Sequence, residues 1–532
     1  MICFTLSANT LDGMSAQVDR YHGCFDMLEL RLDLLSQEER DKLLQSAGAP
    51  AWLGEAPLIL TFRRQSDGGA WNGEDAPRLK YVLSLVESHA ASLVREGSSV
   101  FIDLEDDVVA IAAGREVAAA AARHGVQIIR SRHDFEGTPD DPAAVIGELA
   151  SCGGPGEIPK LAVQVRGSRD LVRLIKAADA VRGGADCGTG SGTGSGAGAE
   201  RSAGRVILVG MGPYGFPSRV LSPRIGSFLS YGSDPGEGRG HVAPGQIDPR
   251  SMAEVYRCRT QGPHTEVFGI IGNPVLHSRS PAFHNAEFDR QGRDAVYVPF
   301  PTDDIEAFRE LMTLLDIRGL SVTIPHKEMV AGWFTSNADK GSSCSPEVSA
   351  VGACNTVTRD SGGNLVGANT DVAGFLEPLL RRVPDLHSRG VTVLGAGGAA
   401  RAVVYGLLSA GARVLVLNRN QDRAALLADE YAHLGQISSG ALSPDSLSLM
   451  ATHNDIIVQT TSVGMAPDVD SDPISFYDFT GTEVLYEIIY APPKTKLLSR
   501  AEDAGCSVIG GEEMFLTQAK LQAQLFAQTA NI

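Results

Sequence analysis

The sequence predicts an α/β protein throughout: an N-terminal (β/α)8 barrel of the TIM type, then a two-lobed α/β half with one Rossmann-like lobe. Three observations predict it. Eight short apolar runs ahead of residue 258 alternate with Ala- and Leu-rich helical stretches, a new strand series opens at VFGIIG, and residues 390–419 read as strand, glycine turn, helix and strand. The chain has 532 residues, 43% hydrophobic and 21% charged, more than one hydrophobic core organises, so at least two domains are required.

The eight runs are ICFTLS, DMLELRLDL, LILTFR, VFIDLE, VQIIRSRH, KLAVQV, RVILVGM and GSFLSYG. Apolar runs buried on both faces and joined by helical crossovers are parallel strands, and eight in one domain match a closed barrel better than an open sheet. Between the sixth and seventh runs lies GGADCGTGSGTGSGAGAERSAG, about residues 183–204. Its Gly and Ser cannot bury enough apolar surface to order themselves, so it reads as a floppy surface insertion, with an interdomain linker as the alternative. The strand count reaches eight only beyond it, which sets the barrel at 1–258. An insertion ahead of the seventh strand lies on the barrel face opposite an active site and is expected to be tolerated. Downstream, AVYVPF and GLSVTIPHK continue the second series.

Charge and cysteine spacing exclude several function classes. A net charge of −18 without a long basic run repels nucleic acid. The eight cysteines form no C-x-x-C pair and no cluster with histidines, so neither a metal site nor a disulfide framework is expected. MICFTLSANTLDGM lacks a basic leader ahead of a long apolar run, and no stretch is long and apolar enough to span a bilayer. The expectation is a soluble cytoplasmic protein with no membrane partner.

In GVTVLGAGGAARAVVYGLLSAGARVLVLNR the turn Gly395, Ala396, Gly397, Gly398 and Ala399 sits between strand and helix. There the backbone can approach a pyrophosphate held at a helix N-terminus, which marks a dinucleotide site. NAD binders usually end the second strand with Asp or Glu, but this chain has Asn418 and Arg419. A guanidinium suits a 2′-phosphate and a carboxylate would repel it, so NADP is favoured. Arg423, one turn on, either adds to that pocket or is a solvated helix arginine.

The segments GNPVLHSRSP, SVTIPHK, GACNTV, GANTDVAG, GAGGAAR, NRN, TTSVGM, EIIYAP and GGEEMFLTQA resemble, in order, those of the shikimate dehydrogenase family. The resemblance spans 266–532 and implies a shikimate-binding lobe over 266–387, completed by 505–532, around an NADP lobe over 388–504. It implies that Ser278 and Ser280 bind the substrate carboxylate and that Thr323, Asn355, Tyr490 and Gln518 surround the ring. Lys327 and Asp371 would be the catalytic pair, with Ile488 and Gly511 beside the nicotinamide. Hydride delivery to a ketone leaves an alkoxide, which a lysine held by a carboxylate can protonate. Ser321 stands where the family commonly has Asn, and Glu487 where it has Asp. Retention of Ser280 and Thr323 favours shikimate, with quinate as a side activity.

Polar residues in the first half fall at strand C-terminal ends, where a barrel enzyme keeps its chemistry. Glu29 and Arg31 end the second strand, Arg63 the third and His133 the fifth; Arg219 follows the seventh and Lys160 opens the sixth. A lone buried lysine could be merely structural. ELRLD, TFRRQSDGG, SRHDF, PKLAV, GPYGFPSRV and APGQ together, however, resemble type I 3-dehydroquinate dehydratase across residues 1 to about 250. That resemblance implies a Schiff base on Lys160, which needs a neutral amine, and His133 as base and then acid. Asp67, usually Glu in the family, would orient His133, and Arg219 would clamp the carboxylate, with Glu29, Arg31, Arg63 and Gln246 on hydroxyls. Val242 replaces a serine often found before APGQ. The implied whole is a bifunctional enzyme that dehydrates 3-dehydroquinate and reduces 3-dehydroshikimate. A lysine-dependent aldolase-like barrel with another keto substrate, or a degenerate half serving as a binding module, are the alternatives.

Overall fold

The computed structural model describes residues 1–46, 50–54, 56–93, 99–154, 156–186, 205–236, 245–335 and 341–529; Val242 and the insertion beyond residue 186 lie outside them. All eight predicted runs are strands: β1 Ile2–Leu6, β2 Met27–Arg31, β3 Leu58–Thr61, β4 Val100–Glu105, β5 Gln127–Asp134, β6 Ile158–Gln164, β7 Ile207–Met211 and β8 Ser230–Ser233. They form one parallel sheet in the order β7-β6-β5-β4-β3-β2-β1-β8. β8 pairs in parallel with β1. Just ahead of β7 and β8, Phe228 N donates to Val206 O at 2.7 Å and Leu208 N to Ser227 Oγ at 3.0 Å, so the barrel is nearly closed.

The period of two along each strand separates the barrel's two faces. Phe4, Leu28, Leu30, Leu58 and Leu60 join the outer core, while Cys3, Met27, Ile59, Phe101, Ile129, Ile158 and Ile207 form a separate apolar cluster that floors the interior. Two residues further along, the same strand faces carry Thr5, Glu29, Thr61, Asp103, Ser131 and Lys160, all buried. An apolar floor therefore excludes water beneath a ring of polar groups. The helix Ser168–Asp186 runs four residues into the stretch read as the start of the insertion. A helix already nucleated adds each further residue cheaply, which composition alone does not reveal.

The remaining strands are β9 Glu266–Gly272, β10 Ala295–Pro301, β11 Ile317–Val322, β12 Ser343–Cys344, β13 Thr356–Arg359, β14 Leu365–Ala368, β15 Gly390–Leu394, β16 Arg413–Asn418, β17 Ile437–Ala441, β18 Ile456–Gln459, β19 Val484–Glu487 and β20 Ser507–Ile509. The chain forms two compact units, Met1–Gly269 with Pro274–Ile317, and Ile270–Asn273 with Arg318–Ile532. The first contains the barrel, the start of β9, β10, and the helices Ser280–Arg290 and Ile305–Leu314. In the second, β11, β13, β14 and β12 are successive neighbours, with β13 antiparallel to β11 and β14. Its other sheet is wholly parallel in the order β17-β16-β15-β18-β19-β20, which reverses direction at β15. Such a reversal is where open α/β sheets bind ligands. Among the described residues no helix is long and apolar enough to cross a membrane.

Candidate active sites

The first site lies at the C-terminal end of the barrel strands, in a pocket that is partly open to solvent. It brings together Glu29, Arg31, Arg63, Asp67, His133, Lys160, Arg219 and Gln246. Lys160 and Asp103 are the centre: Lys160 Nζ donates to Asp103 Oδ2 at 2.7 Å, and Arg63 Nη2 lies 2.8 Å from the same oxygen. Ser131 Oγ donates to the other Asp103 oxygen at 2.6 Å. Lys160 Nζ also sits 4.3 Å from the centroid of the Tyr231 ring. Burial lowers the Lys160 pKa, and the neighbouring Arg63 lowers it further, while Asp103 opposes them. Burial alone would raise Asp103, yet Arg63 and Lys160 hold it far below the ordinary carboxylate range.

His133 is governed by the same charges. Arg63 Nη1 donates to its ring, 3.2 Å from Nδ1, and Phe135 stacks beside it at 6.4 Å. Burial, then Arg63 and Lys160, put its pKa well below the usual value, so the imidazole is neutral near pH 7 and free to take a proton. Glu29 accepts from Thr5 Oγ1 at 2.7 Å and Thr61 Oγ1 at 2.8 Å, which orients its carboxylate. Arg31 is held in two-bond fashion by Asp33, at 2.9 and 2.6 Å. Burial brings the Arg219 guanidinium down to about 10, so it remains cationic. Arg31, Arg63, Lys160 and Arg219 line the cavity with Glu29 and Asp67, and Asp33 and Asp103 pair with the first three of these cations.

Asp67 departs from expectation. Its carboxylate bonds Arg64 Nε and Ser66 Oγ, each at 2.8 Å, and makes no hydrogen bond to His133. The short side chain ends next to the adjacent arginine, which takes it up. The loop bearing it is pressed onto Phe135 at Gly68, whose φ of 77° and lack of a Cβ, which would lie 2.4 Å from the ring, allow the close approach. Sequence reasoning missed Asp103 and Asp33, acids inside or just after largely apolar strands.

In the second unit, Lys327 Nζ donates to Asp371 Oδ2 at 2.6 Å and Asn355 Nδ2 to Asp371 Oδ1 at 2.8 Å. Asn355 Oδ1 accepts from Thr370 N at 2.8 Å, fixing the amide. Thr323 ends the β11 segment, its carbonyl accepting from His326 N. Asp371 opens the helix Asp371–Arg382, and Gly374 one turn on packs against Gln518. Tyr490 lies 5.2 Å from Phe515, and a Cβ on Gly511 would meet Ile488 O at 2.4 Å. The Ser321 hydroxyl donates to Gln522 Oε1 at 2.8 Å, and Gln522 Nε2 donates back to Asn355 O and Thr356 Oγ1, so the serine is part of the packing that holds Asn355. Ser278 and Ser280 belong to the first unit, where Ser280 N donates to Ser278 Oγ at the start of Ser280–Arg290.

The glycine turn has the form a dinucleotide needs. Gly395 has a φ of 114°, which an L side chain rarely adopts, and Gly397 caps the helix Gly398–Ser409 that holds Ala399 in its first turn. Ala396 is partly buried against the nucleotide-lobe core. Gly398 faces the Lys327 stem, with a built Cβ 3.8 Å from Lys327 Cδ, so the lysine stands at the turn. Asn418 Nδ2 donates to Asn420 O, and Asn420 caps the helix bearing Arg423. Arg419 and Arg423 are exposed. The turn fits a dinucleotide, and among the described residues no acid, His or Cys cluster could hold a metal.

Comparisons with known proteins match the two parts of the chain to different families. A model of type I 3-dehydroquinase matches residues 2–186 and 197–263, one of the shikimate dehydrogenase substrate-binding domain matches 270–357, and one of shikimate/quinate 5-dehydrogenase matches 378–466. A bifunctional 3-dehydroquinate dehydratase/shikimate dehydrogenase of Arabidopsis thaliana, described as chloroplastic, is 29% identical and spans 99% of this chain and 82% of its own. A shikimate dehydrogenase (NADP(+)) of Nostoc sp. is 37% identical over 50% of this chain and 93% of its own. The solved shikimate dehydrogenase of Aquifex aeolicus is 32% identical, covering 49% of this chain and 92% of that one at a TM-score of 0.44.

Glu487 generates a test of local electrostatics. Burial raises its carboxyl from 4.5 to about 8, against the bonds it accepts from Ile489 N and Thr495 Oγ1. A folded-state pKa above the unfolded one gives stability that is complete below 4.5 and lost as pH rises through about 8. Glu487→Gln removes this loss. Thermal unfolding at about pH 5 and about pH 9 should show a smaller fall in midpoint for the variant than for the unaltered chain; an equal fall would contradict the assignment.

Proposed function

The chain belongs to the shikimate dehydrogenase family, with a type I 3-dehydroquinase barrel joined ahead of it, and on that premise we propose a bifunctional enzyme that converts 3-dehydroquinate to 3-dehydroshikimate and then to shikimate with NADPH. One observation carries the reading: each half sets a lysine against a carboxylate, at 2.7 Å and 2.6 Å, where its reaction needs one. We assign 1–258 to the barrel, 266–387 with 505–532 to the substrate lobe, and 388–504 to the nucleotide lobe.

In the barrel, Lys160 in its neutral form attacks the ring ketone, and loss of water gives an iminium. Asp103 stays ionised and faces the iminium cation, while the proton that the amine gives up leaves with the former ketone oxygen as water. His133, neutral under the influence of Arg63 and Lys160, removes a proton from the adjacent carbon, and the electron pair moves into the iminium. The β-hydroxyl leaves as water with the proton that His133 returns, and water hydrolyses the imine to release product and Lys160. Arg219 pairs with the substrate carboxylate, while Glu29, Arg31, Arg63 and Gln246 bind hydroxyls. Asp67 fixes Arg64 at the rim.

NADPH supplies the hydride when bound. Lys327 gives a proton to the oxygen that becomes a hydroxyl, and Asp371 with Asn355 holds the lysine in place. Ser278 and Ser280 bind the carboxylate; Thr323, Tyr490 and Gln518 complete the ring's surroundings. The turn Gly395–Ala399 receives the pyrophosphate, Asn418, Arg419 and Arg423 the 2′-phosphate side, and Ile488 with Gly511 the nicotinamide. Ser280 and Thr323 favour shikimate over quinate. The seven described cysteines are free, which suits the cytoplasm where we place the protein.

The deciding experiment is a coupled assay in which 3-dehydroquinate is added and loss of NADPH followed. The unaltered chain should consume NADPH, and NADH far more slowly. Lys160→Ala should abolish consumption from 3-dehydroquinate but not from 3-dehydroshikimate, and Lys327→Ala should lower both by at least about a hundredfold. NADPH loss from 3-dehydroquinate that survives Lys160→Ala would reject the barrel chemistry.

The charges around His133 give a pH test. Arg63 lowers both His133 and Lys160, so Arg63→Gln raises both. The acid limb of dehydratase kcat/KM should shift to higher pH in this variant, with a lower plateau. A limb that stays in place would show that neither group sets it.

A further inference from the structure

Consecutive aspartates in the second half of the sequence cap two helices, one of them in the barrel. Asp304 accepts from Glu306 N and Ala307 N, at 3.1 and 3.0 Å, at the start of its own helix Ile305–Leu314. Asp303 accepts at 2.9 Å from Ser168 N, the first residue of the barrel helix Ser168–Asp186, and its own N donates to Ser168 Oγ at 3.3 Å. The capped residue lies four positions beyond the end of β6, the strand that carries Lys160. Gly167 makes the approach possible, because a Cβ there would lie 2.5 Å from Asp303 Oδ2.

The two helices then run side by side in the same direction, with Arg169 bonded to Asp304 and Lys176 to Glu310. Parallel helices place two partial positive ends together, and the paired aspartates neutralise them. The ion pairs are largely exposed and contribute little. The cap onto buried Ser168 is the stronger link. Next to it, β10 packs against the helix Phe216–Val220, which contains Arg219, and Arg224 just beyond donates to Leu315 O at 3.4 Å and Thr265 O at 3.2 Å. All these residues belong to the first compact unit.

We propose that residues 295–315, which belong by sequence to the dehydrogenase half, form an intramolecular docking surface that braces the barrel. It holds the loop after the Lys160 strand through Asp303, and the Arg219 helix through β10. Asp303 is a positioning residue for the dehydratase, outside its cavity. The barrel of this chain is thus completed by a segment that lies beyond its own eighth strand, and the two activities are not separable at residue 258 without cost to the first.

The test uses the full-length chain with Asp303→Ala, Asp303→Asn and Gly167→Ala, read by amide hydrogen exchange over residues 165–171 and by dehydratase KM and kcat. Asp303→Ala should speed exchange at Ser168 about fivefold and raise KM for 3-dehydroquinate severalfold with a smaller change in kcat. Asp303→Asn, which keeps an accepting oxygen, should restore both, and Gly167→Ala should reproduce the alanine defect by displacing the carboxylate. If Asp303→Ala does not accumulate folded, the other two variants decide. Exchange that is unchanged in Asp303→Ala or Gly167→Ala, or no rescue by asparagine, would overturn the brace. The kinetic arm rests on the dehydratase reading: an unaltered chain without dehydratase activity would refute that reading, while the exchange arm would still judge the brace.

Discussion

Asp103 is the group on which the barrel's chemistry depends. Lys160 and Arg63 are 4% and 6% exposed, and neither cation would stay charged there without a counter-charge. Asp103, 3% exposed, binds both, and Ser131 satisfies its remaining oxygen. Removing one member of such a group leaves an uncompensated buried charge, at a cost of about 3–5 kcal/mol. The arrangement is therefore expensive, and it is retained because the conflict between burial and pairing holds Lys160 low and Asp103 ionised at once. On the proposed reaction, a lysine that can lose its proton and a carboxylate that stays ionised beside the resulting cation are both needed. The apolar floor of Phe101, Ile129, Ile158 and Ile207 keeps water from weakening the contest.

The second site reaches a similar end with less burial. Lys327 is 15% exposed at its side chain and Asp371 8%, and the pair is fixed by the amide of Asn355 instead of a second cation. On the proposed reaction one charge of each sign is sufficient, because this lysine would donate a proton and keep its own covalent bonds. Its stem stands at the glycine turn, beside Gly398.

Much of this was legible because burial on both faces leaves a strong mark. β1 to β8 appeared as apolar runs, and the turn Gly395–Ala399 lay between an unmistakable strand and helix. Asp103 was passed over because VFIDLE reads as one more apolar run. Alternation along that strand puts Asp103 on the same face as Phe101 and Glu105, and an acid there, in a sheet buried on both sides, was the available signal. Asp67 was misjudged for the opposite reason: its position suggested a partner in His133, but side-chain length and the adjacent Arg64 decide where a carboxylate goes. The link between Asp303 and Ser168 spans 135 residues and leaves no local pattern in either segment. Glu487 looked like a conservative change, and only its packing shows a carboxyl held protonated to about 8.

The central claim is that Lys160, set against Asp103, is the nucleophile of the barrel. The most direct measurement is borohydride reduction of the full chain in the presence of 3-dehydroquinate, followed by peptide mass analysis. The account predicts a reduced adduct on the peptide containing Lys160 and on no other lysine, at a rate that falls sharply in Asp103→Asn. An adduct on a different lysine, or none in a chain that still forms 3-dehydroshikimate, would contradict it.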